Sequence, residues 1–379
     1  MKLSLANPLL GLRTARFYSV AAPNPRYVEL VRILKSDTPV PVGRLHAAVD
    51  IDLVVAHSAS AECEIRESTD SQFAGLLFMD QAYLEALEFL LLLTLPKFNP
   101  ISSTKARKFI ERLLFHACIR SGNYRALMEL EVVQSPSWIA PREFGTQEIA
   151  LRLLIASHAV IAHEMMHFAH VLEQRPTAPS PRQRFYLEQS ALSAIDRVEE
   201  KWRIQYPGVE TTDASAQIRS ELDYWLSTGW HEIACDLYGF REAYRSALQL
   251  DVPMASYVMC MMVAQGTTTL LNRLTAELMG AIDEVNPRNT ARSILVESTL
   301  NDIMAERDMD RAEWDLILAR RSRANRRLVD LIAGPALDRA TALRQASEQK
   351  AMPSRKEIVS RVRDYGFAPW PDGVLHYMA

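Results

Sequence analysis

The sequence predicts an α+β chain that is predominantly helical, with a small α/β part at the N-terminus leading into a helical body. Three observations carry that prediction. Strand-like runs with β-branched or alternating character lie ahead of Asp80. From Asp80 onward, apolar residues recur at helical spacing almost without interruption. Short Pro-, Ser- and Gly-containing clusters punctuate the helical stretches.

The first element is a basic lead-in. Met1 to Tyr27 carries Lys2, Arg13, Arg16 and Arg26 and no acidic residue. It reads as a partly extended approach to the fold, with an organellar (mitochondrial) presequence as the alternative. Residues 47–56 (AAVDIDLVVA) and 62–66 (ECEIR) are the strand candidates. Helices are expected at 80–94, 103–120, 124–132, 147–173, 184–204, 215–248, 254–281, 289–305 and 310–331. Breaks fall at 96–100, 135–141, 175–181 and 206–212. The resulting division is an α/β region over 1–100, a helical body over 101–350 and an irregular tail over 351–379, where Trp370 stands between two prolines.

Composition narrows the function classes. Hydrophobic residues make up 48% and charged residues 23% of the 379, as in a globular protein with a real core. A net charge of −3 gives no reason to expect nucleic acid as a partner. Cys63, Cys118, Cys235 and Cys260 are scattered with no CxxC pair, which fits a reducing compartment, and a cytoplasmic location is expected. No run is expected to reach a membrane-spanning length: the oiliest, residues 86–95, contains Glu88 and stops at Pro96.

The chemistry concentrates in VIAHEMMHFA, residues 160–169. His163 and His167 are four apart, so on a helix both imidazoles face one side and can meet one ion. Glu164 is rotated about 100° from His163, close enough to take a proton from a water on that ion. Glu164 is the only acidic or basic side chain, histidines aside, between Ala156 and Val171, as suits a central buried helix. The bland alternative is a buried polar cluster with internal hydrogen bonds.

This stretch resembles the extended HExxH signature of zincin metallopeptidases: a Val opener (Val160), uncharged neighbours (Ile161, Met165, Met166, Phe168) and a small closer (Ala169). Downstream, GWHEIACDLYG (229–239) places Glu232 and Asp236 four apart, similar to the ExxxD element of gluzincins. The resemblance implies a zincin-like core, Zn2+ held by His163, His167 and Glu232, Asp236 fixing His163 from behind, and Glu164 as the catalytic base of a peptide-bond hydrolase. The 64 residues between His167 and Glu232 exceed the spacing in thermolysin-like enzymes. His170 and Cys235 are competing ligands of lower merit, and an oxyanion-stabilising residue is not identified among Tyr238, Tyr244, Tyr257 and His376. Gly229 and Gly239 are expected to let the second helix approach the first, and Trp230 is a packing residue that could line a cleft. RRSRANRR (320–327) reads as a solvated helix face, with docking of a regulatory protein as the sharper reading. The expected activity is a zinc endopeptidase acting on a protein or peptide; the alternative is a restricted or inactive zincin with a regulatory role.

Overall fold

In the computed structural model, residues 17–37, 51–61, 63–67, 75–95, 103–133, 146–173, 178–205, 212–305, 310–369 and 375–378 are described, and helices dominate. The basic lead-in up to Arg16 and the break at 135–141 lie outside the described residues. In chain order the elements begin with β1 (Phe17–Ser19), α1 (Pro25–Asp37), β2 (Ile51–Ala56), β3 (Cys63–Glu67) and β4 (Gly75–Asp80). They continue with α2 (Gln81–Thr94), α3 (Ser103–Ser121), α4 (Tyr124–Met128), α5 (Thr146–Glu173), α6 (Pro181–Gln205) and α7 (Thr212–Trp225). After these come α8 (Trp230–Gln249), α9 (Met254–Met279), α10 (Ile282–Ala305), α11 (Arg311–Leu328), a π turn (Val329–Ala333), α12 (Gly334–Ser347), α13 (Arg355–Asp364), β5 (Phe367–Pro369) and β6 (Leu375–Met378).

Four strands form a sheet in the order β3-β4-β2-β6, parallel between β2 and β4 and antiparallel elsewhere. Asp80 is the pivot from sheet to helix. One carboxylate oxygen accepts from Ala82 N at 2.8 Å, capping α2, and the other accepts from Ser58 N at 2.9 Å. α2 is buried on nearly every side, which explains its unbroken apolar run.

Three expectations need correction. The tail is not irregular: Ser354 and Glu357 form a capping box that starts α13, β5 pairs with β1, and β6 pairs with β2. The C-terminal residues therefore complete the N-terminal sheets. The single helix expected over 215–248 is two, because the chain turns between Leu226 and Gly229. Finally, Gln147–His167 and Met254–Met279 are long and apolar enough to cross a membrane by length and composition. Those windows are 67% and 56% buried against other parts of the protein.

α5 is the axis of the helical body. It packs most densely against α8, and also against α9, α2 and the edge strand β3. Its apolar residues Ile149, Leu153, Ile155, Ala156, Ile161 and Met165 belong to the continuous core. Burial of this kind stabilises by roughly 25 cal/mol per Å2 of apolar surface removed from water. It fixes the rotation of α5, and with it the direction in which the histidines point.

Candidate metal centre

The close approach of α5 and α8 depends on one glycine. A Cβ placed on Gly239 would lie 2.4 Å from the Ala159 carbonyl oxygen and 3.3 Å from His163 Cβ. Only a residue without a side chain allows the two helix backbones to touch there. Gly229 does something else: its Cβ would strike the Trp225 ring at 2.5 Å, so it serves the turn between α7 and α8 rather than the α5 contact.

With the helices in contact, His163, His167 and Glu232 each offer a ligand atom within 4.8 Å of the others, and this group could hold a metal ion. The two Nε2 atoms are 3.1 Å apart. Glu232 places Oε1 at 3.4 Å from His167 Nε2 and Oε2 at 3.7 Å from His163 Nε2. Glu232 makes these two approaches through different oxygens, and with one ligand atom taken per residue the three lie within 4.8 Å of one another. Two imidazole nitrogens and one carboxylate are also a donor set suited to zinc.

Behind the ligands lies a charged relay. His163 Nδ1 donates to Asp236 Oδ1 at 2.9 Å, which leaves the Nε2 lone pair facing Glu232 and His167. Arg292, from α10, clamps Asp236 with Nε at 2.8 Å and Nη2 at 3.0 Å, and its Nη2 lies 3.1 Å from Glu232 Oε2. The guanidinium rests over the Trp225 ring at 5.3 Å. Nothing in the sequence pattern pointed to Arg292; its only signal is a lone arginine fifty-six positions beyond Asp236.

The charges are tuned accordingly. Burial alone would raise the Asp236 and Glu232 carboxyls, but Arg292 and the histidines hold both below their ordinary values. Burial would lower His163, and Asp236 outweighs it, so the ring is pushed up. His167 goes the other way, down to about 4, through burial and the neighbouring His163. At neutral pH His167 is therefore an uncharged imidazole with a lone pair to give.

The remaining sequence candidates fall around this centre. Glu164 lines a cavity of about 90 Å3 together with His163, Asp236 and Arg292. Cys235 is not in the ligand group; its Sγ stands 3.5 Å from His167 Nδ1, on the far side of that ring. His231 Nε2 is 3.4 Å from Glu232 Oε1 at the exposed rim. His158 is buried and held by Ser246 at 2.6 Å. Tyr257 is buried with its hydroxyl donating to the Phe240 carbonyl at 2.9 Å, and Trp230 is buried in the core rather than lining the cavity. The side chains of His170 and His376 lie outside the described residues.

The cavity extends from Glu164 toward Gln265, Thr268 and Thr269 of α9 and Asn289 of α10. Gln265 Nε2 and Asn289 Nδ2 are buried there with no hydrogen-bond partner among the described residues. No protein-family model, curated protein or solved structure matches the chain.

Proposed function

We propose that this chain is a zinc-dependent endopeptidase of the gluzincin type, with a zincin-like core built on α5 and α8. The observation that carries the reading is the joint geometry of two separated motifs. Residues more than sixty positions apart bring two imidazoles and a carboxylate within 4.8 Å of one another, with Asp236 behind His163.

A zinc ion held there would polarise a scissile carbonyl and lower the pKa of a water beside it. His163, His167 and Glu232 hold that position, and Asp236 keeps His163 in the tautomer that presents Nε2. Glu164 takes the proton of the attacking water and returns it to the leaving amine. The unpartnered amides of Gln265 and Asn289 would be satisfied by carbonyl oxygens of a bound substrate. β3 is the outermost of the described strands in its sheet and packs on α5, which carries the histidines. Cys118, Cys235 and Cys260 are buried free thiols, in keeping with a reducing, cytoplasmic setting.

The test is Glu164→Gln. The variant should bind zinc as the parent does and lose turnover by at least a hundredfold, read as new N-termini released in a lysate. If parent and variant release the same termini at the same rate, the mechanism is wrong. If both bind zinc and neither releases any, the regulatory zincin is the better reading.

A further inference from the structure

A second cavity, of about 270 Å3, opens between α9, α10 and α11, with Leu90 of α2 and the π turn closing its sides. Its walls are mostly apolar, and Leu90, Met262, Leu270, Leu328 and Ile332 contribute to them. Gln265 and Thr269, one turn apart on α9, line both this cavity and the one beside Glu164.

Three charged side chains reach the cavity: Arg273, Glu297 and Arg321. Glu297 and Arg321 pair with each other at 2.7 Å. Arg273 is left over. It is half-buried, its Nε is fully enclosed, and its guanidinium makes no hydrogen bond or ion pair among the described residues. Burial pushes its pKa down, with no carboxylate near enough to push it back. A partly desolvated cation without a counter-charge costs the folded chain stability.

A separate observation points into the same space. Gly266 lies on the cavity wall inside α9, and a Cβ built there would meet nothing within 4 Å. Glycine disfavours a helix interior relative to alanine, and neither a positive φ nor a close neighbour requires it here. The bare position widens the cavity on the α9 side.

We infer that this pocket binds an organic acid with one carboxylate and an apolar body. A carboxylate matches the guanidinium fork in shape and cancels a single charge. A ligand with several phosphates fits less well, because one unpaired cation cannot balance several negative charges. The apolar walls would cover the hydrocarbon part, and each CH2 buried there should tighten binding by up to roughly fourfold.

Calorimetric titration of the full chain with octanoate, octanol and acetate separates the outcomes. Octanoate should bind one per chain. Octanol lacks the charge and acetate lacks the chain, so each should bind at least about tenfold more weakly. Arg273→Met keeps an apolar stem and removes the charge. It should weaken octanoate about tenfold or more without lowering the unfolding midpoint, because no protein partner is lost. Gly266→Leu fills the cavity from α9 and should weaken octanoate similarly, which keeps the test decisive should Arg273→Met fail to fold. Absence of octanoate binding, equal binding of octanol or acetate, or unchanged binding by either folded variant would overturn the inference. None of these outcomes depends on zinc or on peptidase activity.

Discussion

Replacing Gly239 by alanine sets two effects of opposite sign against each other at the point where the motif helices meet. In a helix interior, Gly→Ala gains about 1 kcal/mol from backbone entropy and propensity. Here the new Cβ would sit 2.4 Å from the Ala159 carbonyl oxygen, a backbone atom of α5 that has no rotamer to escape into. Restoring ordinary contact at about 3.4 Å requires α8 to retreat by about 1.0 Å, and overpacking of this kind costs about 1–3 kcal/mol. Packing should win, giving a net loss of up to about 2 kcal/mol. The retreat also carries Glu232 away from His163 and His167. Metal–ligand distances tolerate only about 0.2 Å, so zinc affinity should fall tenfold or more. Gly266 is the control: it lies inside α9, and a Cβ there meets nothing within 4 Å. Gly266→Ala should therefore stabilise by about 1 kcal/mol and leave zinc binding alone. Thermal unfolding and competition against a chromophoric chelator read both quantities. If Gly239→Ala is as stable as Gly266→Ala and binds zinc as tightly as the parent, the helix contact does not set the site.

Other perturbations test the surrounding parts. Asp236→Asn removes the charge that holds His163 and Arg292, and should lower zinc affinity ten- to a hundredfold in the same chelator competition; unchanged affinity would remove Asp236 from the centre. Removing the metal with a chelator should lower the unfolding midpoint by a few degrees, reversed by added zinc, because an ion that binds only the folded chain stabilises it by mass action. A midpoint indifferent to both treatments would rule out a bound ion. His57 is buried beside Arg112, and burial first, then that charge, push its pKa down to about 3. The unfolded chain, with an ordinary histidine pKa near 6.5, takes up this proton first, so stability is full above that pH and is lost as pH falls toward 3. The loss is about 1.4 kcal/mol per pH unit. Between pH 7 and pH 5, His57→Phe should thus lose about 2 kcal/mol less than the parent in urea unfolding; equal losses would show that His57 is not held neutral.

Whether a feature was legible in the sequence depended on how locally it is encoded. The HExxH helix could be read because ligand spacing and apolar periodicity both act within a single turn, and α5 spans Thr146–Glu173 against an expected 147–173. Glu232 and Asp236 could be read as a pair for the same reason, although nothing local told which face of α8 would meet α5; that was set by Gly239 against Ala159. β4 was missed because Gly75–Met79 is apolar throughout and the strand runs through Asp80 directly into α2, so it shows no alternation and no loop before the helix. α12 was missed at Gly334-Pro335, where proline in the first turn starts a helix rather than breaking one. The capping box at Ser354 and Glu357 was a readable signal for α13, but the partners of β5 and β6 lie more than three hundred residues upstream and no local pattern encodes them. Arg292 belongs with those strands. It bonds to both carboxylates of the α8 motif, yet a single arginine acquires that role only when α10 folds back over Trp225. Sequence spacing can thus specify donors that share a helix, while the cation that keeps those donors ionised comes from tertiary packing, and for that reason substitutions at Arg292 should perturb the centre as strongly as substitutions within the motifs.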